Sequence, residues 1–162
     1  MLRDKNLIPL SRQHHQALAL CVRLDRALRA GEVDLEAWQA EIQQQFKSEI
    51  GVHFAAEEEI LFPAVANFTD LRSLIQELLA DHALLRDYSA GAAVGDLNLQ
   101  SLADFGEKLT QHIRKEERQL FEGMQRVMNS KDLDALGAAV NEALKDASQA
   151  CALPRAATRL RS

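Results

Sequence analysis

His53-Phe54-Ala55-Ala56-Glu57-Glu58-Glu59-Ile60-Leu61-Phe62 returns in altered form as His112-Ile113-Arg114-Lys115-Glu116-Glu117-Arg118-Gln119-Leu120-Phe121. Both blocks read His, an apolar residue, two variable positions, Glu-Glu, two more positions, then Leu-Phe. In a helix, residues four apart lie one above the other on one face. Each block therefore stacks an imidazole and a carboxylate, which is half of a metal site. Two such blocks in one chain predict a two-metal site closed by the chain on itself.

Outward from the blocks, the chain reads as helix throughout. Glycine and proline are scarce, at seven and three, and no stretch sustains the two-residue alternation of a strand. The spacing predicts a first helix from about Leu7 to Ala30, stopped by Gly31. A second, capped by Asp34, should run to about Ala66, with Pro63 kinking it or marking its fraying end. Thr69 or Asp70 opens a third helix that stops near Gly91, and a fourth runs from about Leu99 to Met128. A shorter amphipathic helix, about Lys131 to Ser148, offers Leu133, Leu136, Val140 and Leu144 to cover one side. The expected fold is an all-α, up-down-up-down four-helix bundle with an additional short C-terminal helix. The bundle is expected over residues 1–150, with a basic tail over 151–162 carrying Arg155, Arg159 and Arg161.

The repeat extends upstream, because Leu10-Ser-Arg-Gln-His14 and Leu78-Leu-Ala-Asp-His82 both place Leu four residues before His. His14, His53, His82 and His112 fall on the apolar stripe of their helices, one per long helix. Glu57 and Glu116 share those stripes, although an unpaired buried carboxylate costs several kcal/mol, roughly, unless it finds a partner. No Lys or Arg on the stripes balances them. The predicted metal ligands are His14, His53, Glu57, His82, His112 and Glu116. His14 is preferred to His15, which lines up with the polar side of its helix. Glu58, Glu59 and Glu117, about 100° round the helix from the ligands, read as solvated surface. Asp81 reads as surface too, and Cys21 as a buried inert thiol. Four imidazoles and two carboxylates suit borderline cations, and two ions bridged by the carboxylates use every donor. Without metal, one of the two carboxylates is expected to hold a proton.

The set of His14, His53-x3-Glu57, His82 and His112-x3-Glu116 resembles the hemerythrin-like, or HHE cation-binding, family over about Leu7 to Met128. The resemblance implies a non-haem, carboxylate-bridged pair of iron ions in a four-helix bundle; manganese or zinc would suit the same donors. It also implies that the chain binds or senses O2, NO, peroxide or iron, or, as the alternative, acts as a di-iron oxidoreductase removing peroxide or NO. Oxygen-carrying hemerythrins have a further histidine four residues after the third-helix ligand, where this chain has Arg86. They carry an aspartate five residues beyond the last histidine, where this chain has Glu116 at four. The departure at Arg86 is expected to open one ion to solvent or substrate and to weigh against simple oxygen carriage. The iron–sulfur repair branch carries a cysteine-bearing segment that the short stretch before Leu7 does not supply, so that role is not expected.

Composition narrows the rest. A net charge of −5 gives no reason to expect nucleic acid. Cys21 and Cys151 match no redox or metal spacing. MLRDKNLIPL lacks the apolar core of a signal peptide and no run reaches membrane-spanning length, so a cytoplasmic setting is expected, with a small diatomic ligand or peroxide as the partner and no membrane.

Overall fold

The computed structural model describes residues 2–145. Among them are five helices and no strand. Helix α1 is Ile8–Ala30. It stops at Gly31, whose φ of 68° lets its N–H reach Leu28 O, while Glu32 N–H returns to Ala27 O. Helix α2 spans residues 35–65 behind Asp34, whose side chain accepts from Ala37 N–H. Helix α3 is Thr69–Ala93. Helix α4 spans residues 99–127, capped by Asn98 accepting from Ser101 N–H. Helix α5 is Ser130–Ala143, capped by Asn129. It ends at Ala143, short of the expected Ser148, with Leu144 as its C-cap; residues 146–148, the tail and Cys151 lie outside the described residues.

Two further sequence expectations change. Helix α3 runs through Gly91, and the chain turns instead at Gly95, where φ is 75°. Gly91 serves packing: a Cβ there would come within 2.9 Å of Leu97 Cδ2. Helices α2 and α4 are also not plain α-helices. Helix α2 contains π-helical turns at Phe46–Ile50 and Glu57–Leu61, and α4 contains one at Glu116–Leu120. Two of these begin on the repeated glutamates. Phe62 N–H donates to Glu57 O and Phe121 N–H to Glu116 O, one residue further back than in an α-helix. Pro63 follows the first of these turns but Glu122 follows the second, so proline does not cause the widened turn. Helix α2 continues past Pro63 to Val65.

Contacts between neighbouring helices run in opposite directions. Along α1 and α4, Arg3 meets Gln125, His14 meets Glu117, and Leu24 lies against Gly106. Along α2 and α3, Gln39 accepts from Leu97 N–H and Glu58 meets Arg86. Along α3 and α4, Gly123 lies against Leu71, Lys115 meets Glu77 and Lys108 meets Asp81.

The apolar interior is split in two. One cluster centres on Leu20, Leu24, Trp38, Ile42, Leu102 and Phe105; the other on Leu10, Leu61, Leu78, Phe121, Leu136 and Val140. On every long helix the histidine of the predicted site stands at the boundary. The bundle is therefore two hydrophobic plugs with a polar layer between them. Leu136 and Val140 of α5, with Leu144 just after it, join the second plug, and Leu133 is buried as well.

Candidate metal centre

All six predicted ligands are buried, none more than 5% exposed, and they meet in the polar layer. His15 is exposed, as the stripe reading requires. The six form two overlapping groups: His14, His53, Glu57 and Glu116, and Glu57, His82, His112 and Glu116. Within each group the donor atoms lie within 4.8 Å of one another.

The carboxylates divide their oxygens between the groups. Glu57 Oε1 is 3.1 Å from His53 Nε2, and its Oε2 is 3.3 Å from His82 Nε2. Glu116 Oε2 is 3.1 Å from His14 Nε2, and its Oε1 is 3.2 Å from His112 Nε2. His14 Nε2 and His53 Nε2 face each other at 3.0 Å. Both oxygens of Glu57 and of Glu116, with Nε2 of His82 and of His112, are buried with no hydrogen-bond partner among the described residues. Buried polar atoms are nearly always satisfied, and so many orphans converging on one layer are the mark of donors arranged for cations.

A second ring of side chains holds the imidazoles. Glu117 Oε1 is 2.7 Å from His14 Nδ1, and Glu58 Oε1 is 2.8 Å from His82 Nδ1. Gln13 Oε1 is 2.7 Å from His53 Nδ1, and Asp81 Oδ2 lies 3.6 Å from His112 Nδ1. At His14, His53 and His82 the acceptor places the ring proton on Nδ1 and leaves the Nε2 lone pair for a metal, whereas His112 Nδ1 has no hydrogen-bond partner among the described residues. Phe62 stacks on His82 and Phe121 on His14, with centroids 5.6 and 5.5 Å apart.

The repeated block now reads in full. Its His and first Glu are candidate ligands. Its second Glu and final Phe hold the lone histidine of another helix. The residue before each lone histidine, Gln13 or Asp81, faces the histidine of the opposite block.

Three sequence expectations are thereby corrected. Glu58 and Glu117 are part-buried and face imidazoles; of the three glutamates read as surface, only Glu59 is exposed. Asp81 is 5% exposed and paired with Lys108 and Lys115, each at 2.8 Å. In a bundle a helix touches two neighbours, so a position about 100° from the core stripe meets the next helix and not water. Gln13 was missed; its signal was its place immediately before a repeated histidine. Cys21 is buried, and burial pushes its thiol up to about 11, as an inert thiol should be.

The metal-free charge state also departs from expectation. Burial opposes charge on His14, but the Glu116 carboxylate close to Nε2 and the hydrogen bond to Glu117 override it and raise its pKa to about 9. Burial likewise opposes charge on His112, and the carboxylates of Glu116 and Asp81 raise it to about 10. Burial and the mutual repulsion of the two carboxylates push Glu57 up, yet His53 and His82 bring it below its ordinary value. Burial raises Glu116 too, and His112 and His14 pull it well below. The protons of the empty layer thus sit on His14 and His112, not on a carboxylate. Both histidines have folded-state values above the unfolded one, so their stabilisation is complete below about pH 6.5 and is lost as pH rises through 9 to 10. The chelator-treated protein is expected to lose stability steadily from pH 7 to pH 10, which urea unfolding at stepped pH measures; a flat profile would contradict this charge assignment.

Arg86, in place of the further histidine, opens nothing. Its guanidinium grips Glu58 at 2.7 and 3.1 Å and lies over Phe54, whose ring stacks on His82 at 3.7 Å. The His82 end is closed. A cavity of about 20 Å³ lies instead against His14, His53, His112 and Glu116. The second ring makes its own prediction: Glu58→Gln and Glu117→Gln should each weaken metal binding about 10–100-fold. Competition against a chromophoric chelator reads this, and unchanged affinity in both would deny the ring an orienting role.

The hemerythrin HHE cation-binding domain model matches residues 9–124. The chain belongs to that family. No curated protein and no solved structure matches it. The family and the His/Glu layer together define a cation-binding helical domain. Among the described residues no helix is long and apolar enough to cross a membrane.

Proposed function

We propose that the chain holds two iron ions, one at His14 and His53 and one at His82 and His112, with Glu57 and Glu116 bridging them. The observation that carries this reading is the division of each carboxylate's oxygens between two histidine pairs. A single ion would leave half of these oriented donors idle. The framework is read as an up-down-up-down bundle, in keeping with the opposed contacts along neighbouring helices. Two histidines and two carboxylate oxygens give each ion four protein donors, fewer than the six iron commonly takes. Bound iron would supply a change of oxidation state and open positions for a small ligand. On this reading the protein binds or senses O2, NO, peroxide or iron itself in the cytoplasm.

The protein's own contribution is to hold and exclude. The second ring keeps Nε2 of three imidazoles pointed inward, and the two apolar plugs keep bulk water out. The cavity beside His14 and His53 limits access to molecules of a few atoms. That size favours the second reading only in its narrow form, an oxidoreductase acting on peroxide or NO.

The test is metal content per chain on untagged protein purified without chelator, with absorption spectra before and after air. About two irons per chain, with near-ultraviolet bands appearing on oxidation, is the expected result. One zinc, or no metal, would sink the redox function.

A further inference from the structure

Two buried carboxylates, Glu41 and Glu49, stand outside both ligand groups and the second ring, and Glu41 is paired with Arg23. Glu49 lies in the π-helical turn Phe46–Ile50, one turn before His53, and is 6% exposed. It lines the cavity beside His14, His53 and His112. No hydrogen bond or ion pair joins it to another described residue. Its carboxylate has no partner among the described residues, and Glu49 borders a space of about 20 Å³, room for roughly one water.

The internal repeat sharpens the anomaly. Glu49, four residues before His53, corresponds to Lys108, four before His112. Lys108 is matched by Asp81, the residue before His82, at 2.8 Å. The counterpart of Asp81 is Gln13, which is neutral and already engaged with His53. The symmetric position therefore has an ion pair, and Glu49 has none. This break in symmetry falls on the side where the cavity lies, while Arg86, Glu58 and Phe54 close the other.

Resting on the di-iron reading, we propose that Glu49 is a specificity-determining residue of this cavity. It disfavours anions at the His14 and His53 end and favours small neutral ligands that donate a hydrogen bond, of the class of water and hydrogen peroxide. An ionised carboxylate has acceptor sites and no donor, so a neutral O–H satisfies it. An anion in the same space meets its charge in a medium that screens poorly.

The probe is fluoride, an anion small enough for the cavity, titrated into the oxidised, iron-loaded full-length chain and followed by absorption. Glu49→Gln keeps the shape and removes the charge, and burying an amide costs less than burying a carboxylate, so folding is expected to persist. Fluoride should bind this variant about tenfold or more tightly than wild type. Nitric oxide, neutral and without a proton to donate, should bind the reduced protein within about twofold of wild type. Glu49→Leu should keep the fluoride gain and slow oxidation of the reduced protein by hydrogen peroxide several-fold, a loss the amide oxygen of Glu49→Gln largely restores. Equal iron content with unchanged fluoride affinity overturns the assignment of Glu49 alone. Iron lost only from Glu49→Gln also overturns it, by making the residue a ligand. Iron absent from wild type and variant alike overturns the di-iron reading, and this assignment with it.

Discussion

Iron-loaded protein is expected to melt roughly 10 °C or more above the metal-free chain, since a ligand present at about a thousand times its Kd adds about 4 kcal/mol to a domain of this size. The physical reason is the position of the site. The six candidate ligands come from four helices, and they sit between two apolar clusters that do not merge across the layer. Without metal the layer holds four buried polar side chains with orphaned atoms, and protonated His14 and His112 help to compensate Glu57 and Glu116. With metal those atoms gain partners and the four helices share one cross-link. Circular dichroism melts of loaded and chelator-treated protein at equal pH provide the comparison. Midpoints within about a degree of each other would mean that the layer is not where the cations bind.

Glu116→Ala is expected to empty both positions and not merely one. Each oxygen of Glu116 faces a different histidine pair, so removing the carboxylate takes one donor from each group at once. His82→Ala differs, because His82 belongs to only one of the two groups. Elemental analysis should give well under one ion per chain for Glu116→Ala and an intermediate value for His82→Ala. Two ions retained in Glu116→Ala would refute the bridging role. The metal-free variant has a further signature in the histidine titration. Glu116 is a leading reason that His14 and His112 stay protonated well above their ordinary value, against burial that disfavours their charge. Without it both should fall markedly, and NMR titration of the imidazole resonances would follow the change. Glu59→Gln, on the exposed face of the same block, should alter neither metal content nor titration.

Much of this was legible because the chain repeats itself. A histidine and a glutamate four apart on an apolar stripe have one inexpensive explanation, and two copies with two spaced lone histidines leave little room for another. Helix number, caps at Asp34 and the stop at Gly31 followed from local chemistry, since Asp accepts N–H groups at a helix start and glycine alone turns left-handed without cost. The choice of His14 over His15 followed from the same periodicity.

What went unread depends on neighbours. Period and stripe say which face of a helix is apolar, but not which other helix meets the flank of that face. Glu58 and Glu117 therefore looked solvated until α3 and α1 placed His82 and His14 beside them. Asp81 looked like surface until Lys108 and Lys115 enclosed it. The π-helical turns at Glu57 and Glu116 carry no local signature either, because proline follows only one of them. The side on which the site opens is likewise a tertiary matter: Arg86 could not be read as a closure from its own position, since its partner Glu58 lies on a different helix. The sequence by itself determined the candidate donors, because coordination chemistry is a property of side-chain type and helical spacing. Only the packed bundle decided their orientation, their protons and the direction of access, because those depend on distances between residues far apart in the chain.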